Sequence, residues 1–393
     1  MFNYFDIYYR WITVVHNEGD SLIMKRGHPL ERHGAIRRQL AGLICSGAKA
    51  PGMRLPTRLE LADEFKTSPV TIQKALLQLA NDGFVVARGR AGTFVTERPP
   101  HLYRFGLVIP QADSVGFLRT LVEQAAVLER THGWRFPIYS GVDGPKDSDN
   151  YRSMLEDLRS HRVAGLILTQ QPVYYLNTPL FAQPDLPRVA IVSQHQVPGV
   201  GCVHLDNQMF IGKALDHLKA RGRRRVAFVA TPNISSEFID AVTDGVAARQ
   251  MTTRPAWIQA LDHRSLHWAT HVVAALMTGP VSARPDALII ADDHLVESIT
   301  TAVRHHGVRV PATLEIVAHC NYPNLSLAAV PVCWLGYDVG RVLQSAVEYI
   351  QQSLSGPPPA PVTTVPAQFV HERSDPGRLN PPTFTRLAER GSY

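Results

Sequence analysis

The adjacent residues His319 and Cys320 could suggest covalent chemistry, because a histidine beside a cysteine can activate a thiolate nucleophile. Neighbouring residues on a strand point to opposite faces, however, so these two side chains are poorly placed to form such a pair. Histidine occurs 17 times, but His305 and His306 are expected on a polar helix end, which is typical of the surface rather than of metal ligands. The chain contains no HExxH, GxSxG or P-loop pattern. We therefore predict no catalytic residue, no metal site and no cofactor.

The side chains of Thr71, Gln73 and Lys74 could read a nucleic acid. They offer a hydroxyl, an amide that can pair with adenine, and a cation for guanine or phosphate. Farther along, the run Arg88-Gly89-Arg90-Ala91-Gly92 combines two cations with two glycines. That composition suits a hairpin tip lying against a phosphate backbone or a minor groove. These residues indicate a DNA-binding surface built from one helix and one hairpin.

Three short helices and a hairpin would position these side chains. The third helix is expected to begin near Ser68, a suitable N-cap, with Pro69 at the first helical position, where its missing N–H costs nothing. Its apolar stripe consists of Ile72, Ala75, Leu76 and Leu79. Two helices joined by three or four residues form a helix-turn-helix, whose second helix enters the major groove. The other expected elements are helices from about Leu30 to Ser46 and Arg58 to Phe65, and strands Phe84–Ala87 and Thr93–Thr96.

The positive charge of the chain is concentrated in this segment. Residues 24–100 contain 13 Lys and Arg against 6 Asp and Glu, whereas residues 101–393 contain 26 against 25. The formal net charge of the whole chain is +6. A compact basic module beside a large, nearly neutral one is the electrostatic layout of a nucleic-acid reader joined to a second module.

Length and composition exclude several classes of protein. The 393 residues are 45% hydrophobic and 19% charged, which argues against wholesale disorder and suggests two or three domains. Cys45, Cys202, Cys320 and Cys333 form no CxxC pair, so we expect a reducing, cytoplasmic location rather than a disulfide framework or a zinc site. No run of 18 apolar residues occurs, so no membrane partner is expected.

Four motifs of the first module occur in an order and spacing that resemble the GntR-family winged-helix domain, namely Ala50–Thr57, Leu61-Ala62, Ser68–Ile72 and Gly92–Val95. Leu59, Pro69 and Gln73 stand at positions where that family often has arginine, so neighbouring cations are expected to supply part of the charge. The residue types and the resemblance together imply a set of DNA contacts, namely Arg54, Thr57, Arg58, Ser68, Thr71, Gln73, Lys74, Arg88, Arg90 and Gly92.

Apolar runs alternate with helical stretches after the short, stiff linker Pro99-Pro100. This alternation predicts an α/β fold with parallel sheets, and about 270 residues favour two lobes over one sheet. The expected strands are Phe105–Ile109, Trp134–Tyr139, Ala164–Leu168, Val189–Val192, Val226–Ala230, Ala287–Ala291 and Leu314–Ala318. Ligands bind beyond the carboxyl ends of such strands. The segments at these ends are Pro110–Phe117, Ser193–His195, Thr231–Glu237, Asp292–Asp293 and His319–Tyr322.

The second module carries motifs similar to those of the LacI-type sensor domain, which has a periplasmic-binding-protein-like fold. They are Phe105–Pro110, Val163–Ile167, Val203–Asn207, Asp216–Phe228, Arg284–Ile289 and Gly307–Pro311. A GntR-type winged helix joined to a LacI-type sensor is a combination found in sugar-responsive repressors of the arabinose-repressor type. The resemblance thus implies an effector-binding domain of two lobes.

The resemblance also implies where an effector would bind. It places Asp113 and Phe117 in the first ligand loop, Asp206 near the hinge and Asp293 after a strand. Carboxylates that accept from paired hydroxyls and aromatic faces that cover C–H bonds suit a sugar. The remaining candidates are Ser193, where the family often has arginine, Asn321 beside Cys320, and Trp334, which could stack on a ligand or pack in the core.

These observations lead to one main hypothesis and two alternatives. The main hypothesis is a homodimeric regulator that binds a palindromic operator in double-stranded DNA and responds to a sugar. We expect it to act as a repressor, although the sequence alone leaves an activator open. One alternative keeps the DNA reader with a nucleoside, a purine or no free effector, and the remote alternative is an enzyme on an α/β scaffold. The expected domains are an N-terminal extension at 1–23 ahead of a second possible start at Met24, a winged helix at 24–98, a linker at 99–103, an effector domain at 104–374 and a disordered tail at 375–393.

Overall fold

The computed structural model describes residues 29–110, 116–142, 148–192, 197–232, 236–262, 267–357, 359–374 and 379. The N-terminal extension, nearly all of the tail after Ser374, and the candidate residues Asp113 and Ser193 lie outside these ranges. The helices are α1 Pro29–Cys45, α2 Arg58–Glu64, α3 Pro69–Asn81, α4 Phe117–His132, α5 Asp149–Arg159, α6 Asn207–Ala220, α7 Ser236–Ala248, α8 Trp268–Leu276, α9 Val296–His305 and α10 Val339–Ser355.

The strands are given in chain order, which differs from their order in the sheets. The first pair is β1 Val85–Ala87 and β2 Thr93–Val95. The next five are β3 Phe105–Ile109, β4 Ile138–Ser140, β5 Gly165–Leu168, β6 Arg188–Ile191 and β7 Gly201–Leu205. The remaining seven are β8 Val226–Ala230, β9 Ile258–Ala260, β10 Ala287–Ile290, β11 Glu315–Tyr322, β12 Cys333–Asp338, β13 Val362–Val365 and β14 Gln368–Phe369.

Helices α1 to α3 and the antiparallel pair β1–β2 form a small domain with its own core. Helix α3 begins at Pro69 after the N-cap Ser68, as predicted. The predicted stripe is buried: Ile72, Ala75 and Leu79 are 0% exposed and pack with Leu40 of α1 and Phe84. Burial of these side chains holds α3 on α1 and leaves the opposite face of α3 toward solvent.

Two six-stranded sheets form the two lobes of the second module, so the prediction of an α/β fold with two lobes is confirmed. The first sheet has the order β13-β7-β6-β5-β3-β4, and its strand pairs are parallel. The second has the order β14-β12-β11-β10-β8-β9, parallel except for the β12–β14 pair. Strands buried on both faces by helices explain the near-continuous apolar runs.

The chain crosses between the lobes three times within the described residues. It passes from β7 to β8 by way of α6, from β12 to α10, and from β13 to β14. At the first two crossings an aspartate caps the helix that follows: Asp206 accepts from the backbone of Met209 at 2.8 Å, and Asp338 accepts from that of Arg341 at 3.0 Å. The crossings form a hinge, and the cleft between the lobes lies beside it.

Several strand boundaries differ from those predicted. The strand expected to end at Ala318 continues to Tyr322, because β11 keeps its parallel register with β12 up to Asp338. His319 and Asn321 therefore lie within a strand rather than after one. The strand expected at Trp134–Tyr139 is limited to β4, and Trp134 packs in the core before it. Strands β7, β9, β12, β13 and β14 were not predicted, because they are short or contain polar residues and so form no apolar run.

No helix among the described residues is long and apolar enough to cross a membrane.

Strand β12 passes so close to β11 that its central residue must be glycine. A Cβ added at Gly336 would lie 1.8 Å from the carbonyl oxygen of Cys320, whereas a Cβ at Gly356, just after α10, meets no atom within 4 Å. We expect Gly336→Ala to lower the free energy of unfolding by about 3 kcal/mol or more, because backbone atoms cannot move aside as a side chain can. Urea denaturation of both variants tests this. Equal loss of stability in Gly356→Ala and Gly336→Ala would contradict it.

Candidate functional site

Side-chain caps fix where α2 and α3 begin. Thr57 accepts from the backbone N–H of Glu60 at 3.3 Å, and the Glu60 carboxylate accepts from the backbone N–H of Thr57 at 2.7 Å. These hydrogen bonds lower the pKa of Glu60. Ser68 accepts from the backbone N–H of Thr71 at 3.2 Å, and the two hydroxyl oxygens are 2.9 Å apart. Three predicted DNA contacts, Thr57, Ser68 and Thr71, thus also fix the start of a helix.

An arginine of α2 orients the amide of α3 that was predicted to read adenine. Arg58 donates from Nη1 to Oε1 of Gln73 at 2.6 Å. Bidentate pairing with adenine needs both an acceptor and a donor on the amide. Because the Gln73 oxygen already accepts from Arg58, this arrangement presents the amide N–H groups of Gln73 as donors. Lys74, one residue on, is exposed.

A groove of about 410 Å³ runs between α3 and the β1–β2 hairpin. It brings together six of the predicted DNA contacts, namely Arg54, Thr57, Arg58, Gln73, Arg90 and Gly92. Gly92 has a φ of +107°, and a Cβ there would lie 2.9 Å from Nε of Arg54. The glycine therefore lets the hairpin approach the arginine, which keeps both on one surface.

The hairpin tip carries two further cations. Arg90 lies in a single 3₁₀ turn between the strands and is exposed. The guanidinium of Arg88 lies 4.8 Å from the centre of the Phe94 ring and 4.0 Å from the Glu97 carboxylate. Arg54, Arg58 and Arg90 line the groove and are exposed, and Lys74 and Arg88 are exposed on the same helix and hairpin. Exposed cations on these two elements attract a phosphate backbone.

The cleft between the lobes has a volume of about 380 Å³. Three segments of the first lobe, two hinge residues and two strands of the second lobe line it. The lining residues are Phe117, Thr169, Gln170, Gln171, Tyr174, Ile191, Val192, Leu205, Asn207, His319 and Tyr337. Phe117 is the predicted effector contact found in this set. Sequence analysis placed His319 in a strand-end segment where ligands bind but did not name it as an effector contact. It missed the other lining residues, although Thr169 to Gln171 directly follow a strand whose end at Leu168 it had placed correctly.

His319 lies at the centre of the second-lobe wall. Its ring centre is 5.5 Å from that of Phe210 and 5.8 Å from that of Tyr337. Burial lowers the pKa of His319, although Asp293 and Asp292 act in the opposite direction. The imidazole is therefore neutral near pH 7, and its buried Nδ1 has no hydrogen-bond partner among the described residues. A neutral ring nitrogen of this kind can accept from, or donate to, a hydroxyl of a ligand.

Asp293 lies where the two lobes touch. A Cβ at Gly116, the residue before α4, would be 2.9 Å from Oδ2 of Asp293 and 2.7 Å from the His294 ring. Asp293 is therefore next to the start of α4 and to the cleft residue Phe117. Asn324 joins the lobes nearby by donating to Oε2 of Glu123 on α4 at 2.7 Å.

Asp292, Asp293 and His294 could each offer one ligand atom to a metal, since these atoms lie within 4.8 Å of one another. Asp292, however, already accepts from the backbone N–H of His294 at 3.0 Å and from Thr231 at 3.1 Å, and lies 2.7 Å from the His294 ring nitrogen. Burial opposes ionisation of Asp292, but these contacts still lower its pKa. The protein itself therefore satisfies the carboxylate that a metal would need.

Three other predicted effector contacts occupy different positions. Asp206 caps α6, and its neighbour Asn207 lines the cleft. Asn321 is 3% exposed within β11, and its Nδ2 has no hydrogen-bond partner among the described residues. Trp334 packs against the core of the second lobe and does not appear among the described cleft residues, so the core alternative matches its position.

The His319–Cys320 pair is arranged as the alternation of a strand requires. His319 faces the cleft, whereas Cys320 is 0% exposed and lies against β12. Burial raises the pKa of the Cys320 thiol well above its usual range. A protonated thiol on the opposite face of the strand from the imidazole is unsuited to nucleophilic catalysis.

Two family models match separate parts of the chain. Residues 33–95 match the model described as bacterial regulatory proteins, gntR family, and residues 215–374 match a periplasmic binding protein-like domain. The first match covers the DNA-reading groove. The second covers the sheet of the second lobe, two of the three described crossings, and α10 and β13 of the first lobe.

Among curated proteins, the chain is 24% identical over 309 residues to the arabinose metabolism transcriptional repressor of Geobacillus stearothermophilus, covering 73% of this chain and 81% of that repressor. It is 31% identical over 116 residues to the HTH-type transcriptional repressor YtrA of Bacillus subtilis, covering 29% of this chain and 88% of that protein.

Solved structures of LacI-family regulators share the fold. One from Bifidobacterium animalis subsp. lactis superposes with a TM-score of 0.54 at 18% identity, covering 72% of this chain and 99% of that one. One from Chloroflexus aggregans superposes with a TM-score of 0.53 at 16% identity, covering 68% and 96%. The chain therefore belongs to the gntR family of bacterial regulatory proteins, and it carries a periplasmic binding protein-like domain after its winged helix.

Proposed function

We propose that this protein is a homodimeric transcriptional repressor whose operator affinity changes when a neutral sugar binds between its two lobes. The observation that carries the proposal is the chemistry of the cleft. Phe117, Tyr174 and Tyr337 supply aromatic faces, while Gln170 and Asn207 supply neutral amides. Sugar rings are bound by such pairs of apolar faces and hydrogen-bonding groups.

The lack of lysine and arginine among the described cleft residues favours a neutral sugar over a sugar phosphate or a sugar acid. None of the described residues that line the cleft is lysine or arginine. The sequence segments 111–115 and 193–196, which adjoin Gly116 and Val192 in the chain, contain neither residue type. Phosphate and carboxylate groups are usually bound by such cations. Since two relatives are named for arabinose metabolism, pentoses are the first sugars to test.

The small size of the DNA reader supports a dimer. Helix α3 and the hairpin tip offer a few side chains, which specify only three or four base pairs. Two copies related by a two-fold axis would read a near-palindrome and double the number of contacts. Sedimentation at micromolar concentration should give twice the chain mass of 43.5 kDa.

Binding to the DNA upstream of the protein's own gene should weaken steeply as salt increases, because cations of the basic face displace counterions. We expect Arg90→Ala to weaken binding to all sequences alike and to reduce the slope of log affinity against log salt by about 1. The matched control is Arg341→Ala, an exposed arginine of α10. Fluorescence anisotropy at several salt concentrations tests this, and a slope unchanged by Arg90→Ala would place Arg90 away from the DNA.

The contact between Arg58 and Gln73 should determine base preference. If Gln73 reads bases only while Arg58 holds its oxygen, Arg58→Ala and Gln73→Ala should relax specificity at the same base pair, and the double variant should add little to either. Loss of a good base contact costs about 1–3 kcal/mol. Binding to a set of single-base operator variants measures this. Independent, additive losses at different base pairs would contradict the pairing.

Effector binding should depend on the hinge amide. We expect Asn207→Ala to weaken sugar binding about tenfold or more, because a buried hydroxyl would lose its partner. The control is Asn177→Ala, an exposed amide outside the cleft. Thermal-shift and calorimetric titrations with pentoses, hexoses and nucleosides test both residues. A response to nucleosides with none to a dozen neutral sugars would contradict the sugar and favour the alternative effector.

A further inference from the structure

A chain of ion pairs joins the winged helix to the first lobe. Asp82, the residue directly after α3, lies at its centre. Its Oδ1 accepts from Nη1 of Arg162, between α5 and β5, at 2.9 Å. Its Oδ2 lies 3.4 Å from Nη1 of Arg37 on α1. One carboxylate at the end of the recognition helix is therefore shared between an arginine of its own domain and an arginine of the lobe.

The network continues into the lobe along α5. Arg37 also pairs with the carboxylate of Glu156 and donates to Oγ of Ser160 at 2.5 Å. Arg162 lies 2.7 Å from Oδ1 of Asp157. Asp157 in turn accepts from the hydroxyl of Tyr139 on β4 at 2.7 Å. The contacts thus run from α1 and α3, through α5, to the sheet of the first lobe.

The charges of the network are balanced, and its two aspartates are largely removed from water. Arg37, Arg162 and Arg104 face Asp82, Glu156 and Asp157, so three cations match three carboxylates. The side chains of Asp82 and Asp157 are 7% and 6% exposed. Removing one partner from a buried network leaves its neighbours with uncompensated charge, which is far costlier than losing a surface pair.

A ring stack and a thiol hydrogen bond flank the ion pairs. His101, after the second linker proline, stacks on Phe84 with ring centres 6.0 Å apart and planes within 11°. Burial and the charge of nearby His161 lower the pKa of His101 to about 4, so the ring is neutral near pH 7. Cys45, the last residue of α1, donates from Sγ to the carbonyl oxygen of His161 at 3.9 Å. The linker therefore packs into the contact and does not act as a free tether.

We propose that this surface is a dock that makes the recognition helix and the first lobe move as one body, so that the effector signal reaches DNA through it. The role of the dock in transmitting the effector signal rests on the proposed function, whereas the contact between the two domains does not. A ligand changes DNA affinity only if it binds the competent and incompetent arrangements differently. With the dock intact, any rotation of the first lobe on ligand binding turns α3 by the same angle.

The thiol of Cys45 can report whether the two domains are in contact. Cys45 is half-buried under His161, and burial raises the pKa of its thiol to about 12. Separation of the domains would expose this thiol, and maleimide labelling at Cys45, followed by peptide mass spectrometry, would measure it. Buried Cys202 provides the internal reference.

The test compares Asp82→Asn and the milder Glu156→Gln, whose side chain is 45% exposed and should fold normally, with the control Asp149→Asn. Asp149 lies in the first turn of the same helix α5 and its side chain is fully exposed. Each variant is measured for labelling of Cys45, for sugar affinity, and for operator affinity with and without sugar.

We expect both dock variants to label faster at Cys45 and to bind sugar as the unmodified protein does. The sugar-dependent change in operator affinity, about fivefold or more in the unmodified protein, should fall below about twofold. The control should change neither. Unchanged labelling in both variants would overturn the dock. Faster labelling with an intact sugar response would overturn its role in the signal. If the unmodified protein binds no operator or no sugar, the proposed function is wrong. The labelling of Cys45 would still show whether these ion pairs hold the two domains together.

Discussion

The position of the DNA reader on the effector domain depends on the ion pairs of the Asp82 carboxylate. This carboxylate terminates the recognition helix and is shared by Arg37 of the reader and Arg162 of the first lobe. Without this carboxylate, Arg37 and Arg162 would lose their shared partner, and the contact that defines where α3 points relative to the lobes would weaken. With it, the DNA-reading face has a fixed orientation relative to the effector cleft, although the dock lies at the amino ends of the first lobe's strands and the cleft lies at their carboxyl ends.

The cleft and the hinge complete this arrangement. Three chain crossings allow the lobes to rotate, and Asp206 and Asp338 begin the helices that leave two of those crossings. The wall of the second lobe presents a neutral His319, and the hinge presents Asn207. A ligand that bridges these groups and Phe117 of the first lobe would favour one angle between the lobes. The ligand can change DNA affinity only by as much as its own affinity differs between that angle and the others.

Local patterns predicted much of the fold, while the sites depend on contacts between distant residues. The Ser68 cap and the Ile72–Leu79 stripe follow from spacing alone, because caps and helical stripes are local. Strand β12 and its cleft residue Tyr337 were missed, since a mixed strand gives no apolar run. The extension of β11 past Ala318 depends on pairing with that missed strand. Likewise, no local signal connects Arg37 with Glu156, which is 119 residues away. The dock therefore could not be predicted from the sequence.

The most direct test of the coupling is to measure sugar affinity rather than DNA affinity. Calorimetric titration of the sugar into free protein and into the protein–operator complex gives two dissociation constants. Coupling between two sites is reciprocal, so the sugar should bind the operator complex more weakly by the same factor, about fivefold or more, by which it weakens operator binding. Equal sugar affinity with and without operator would show that the cleft and the DNA-reading face are not linked, and would contradict the account.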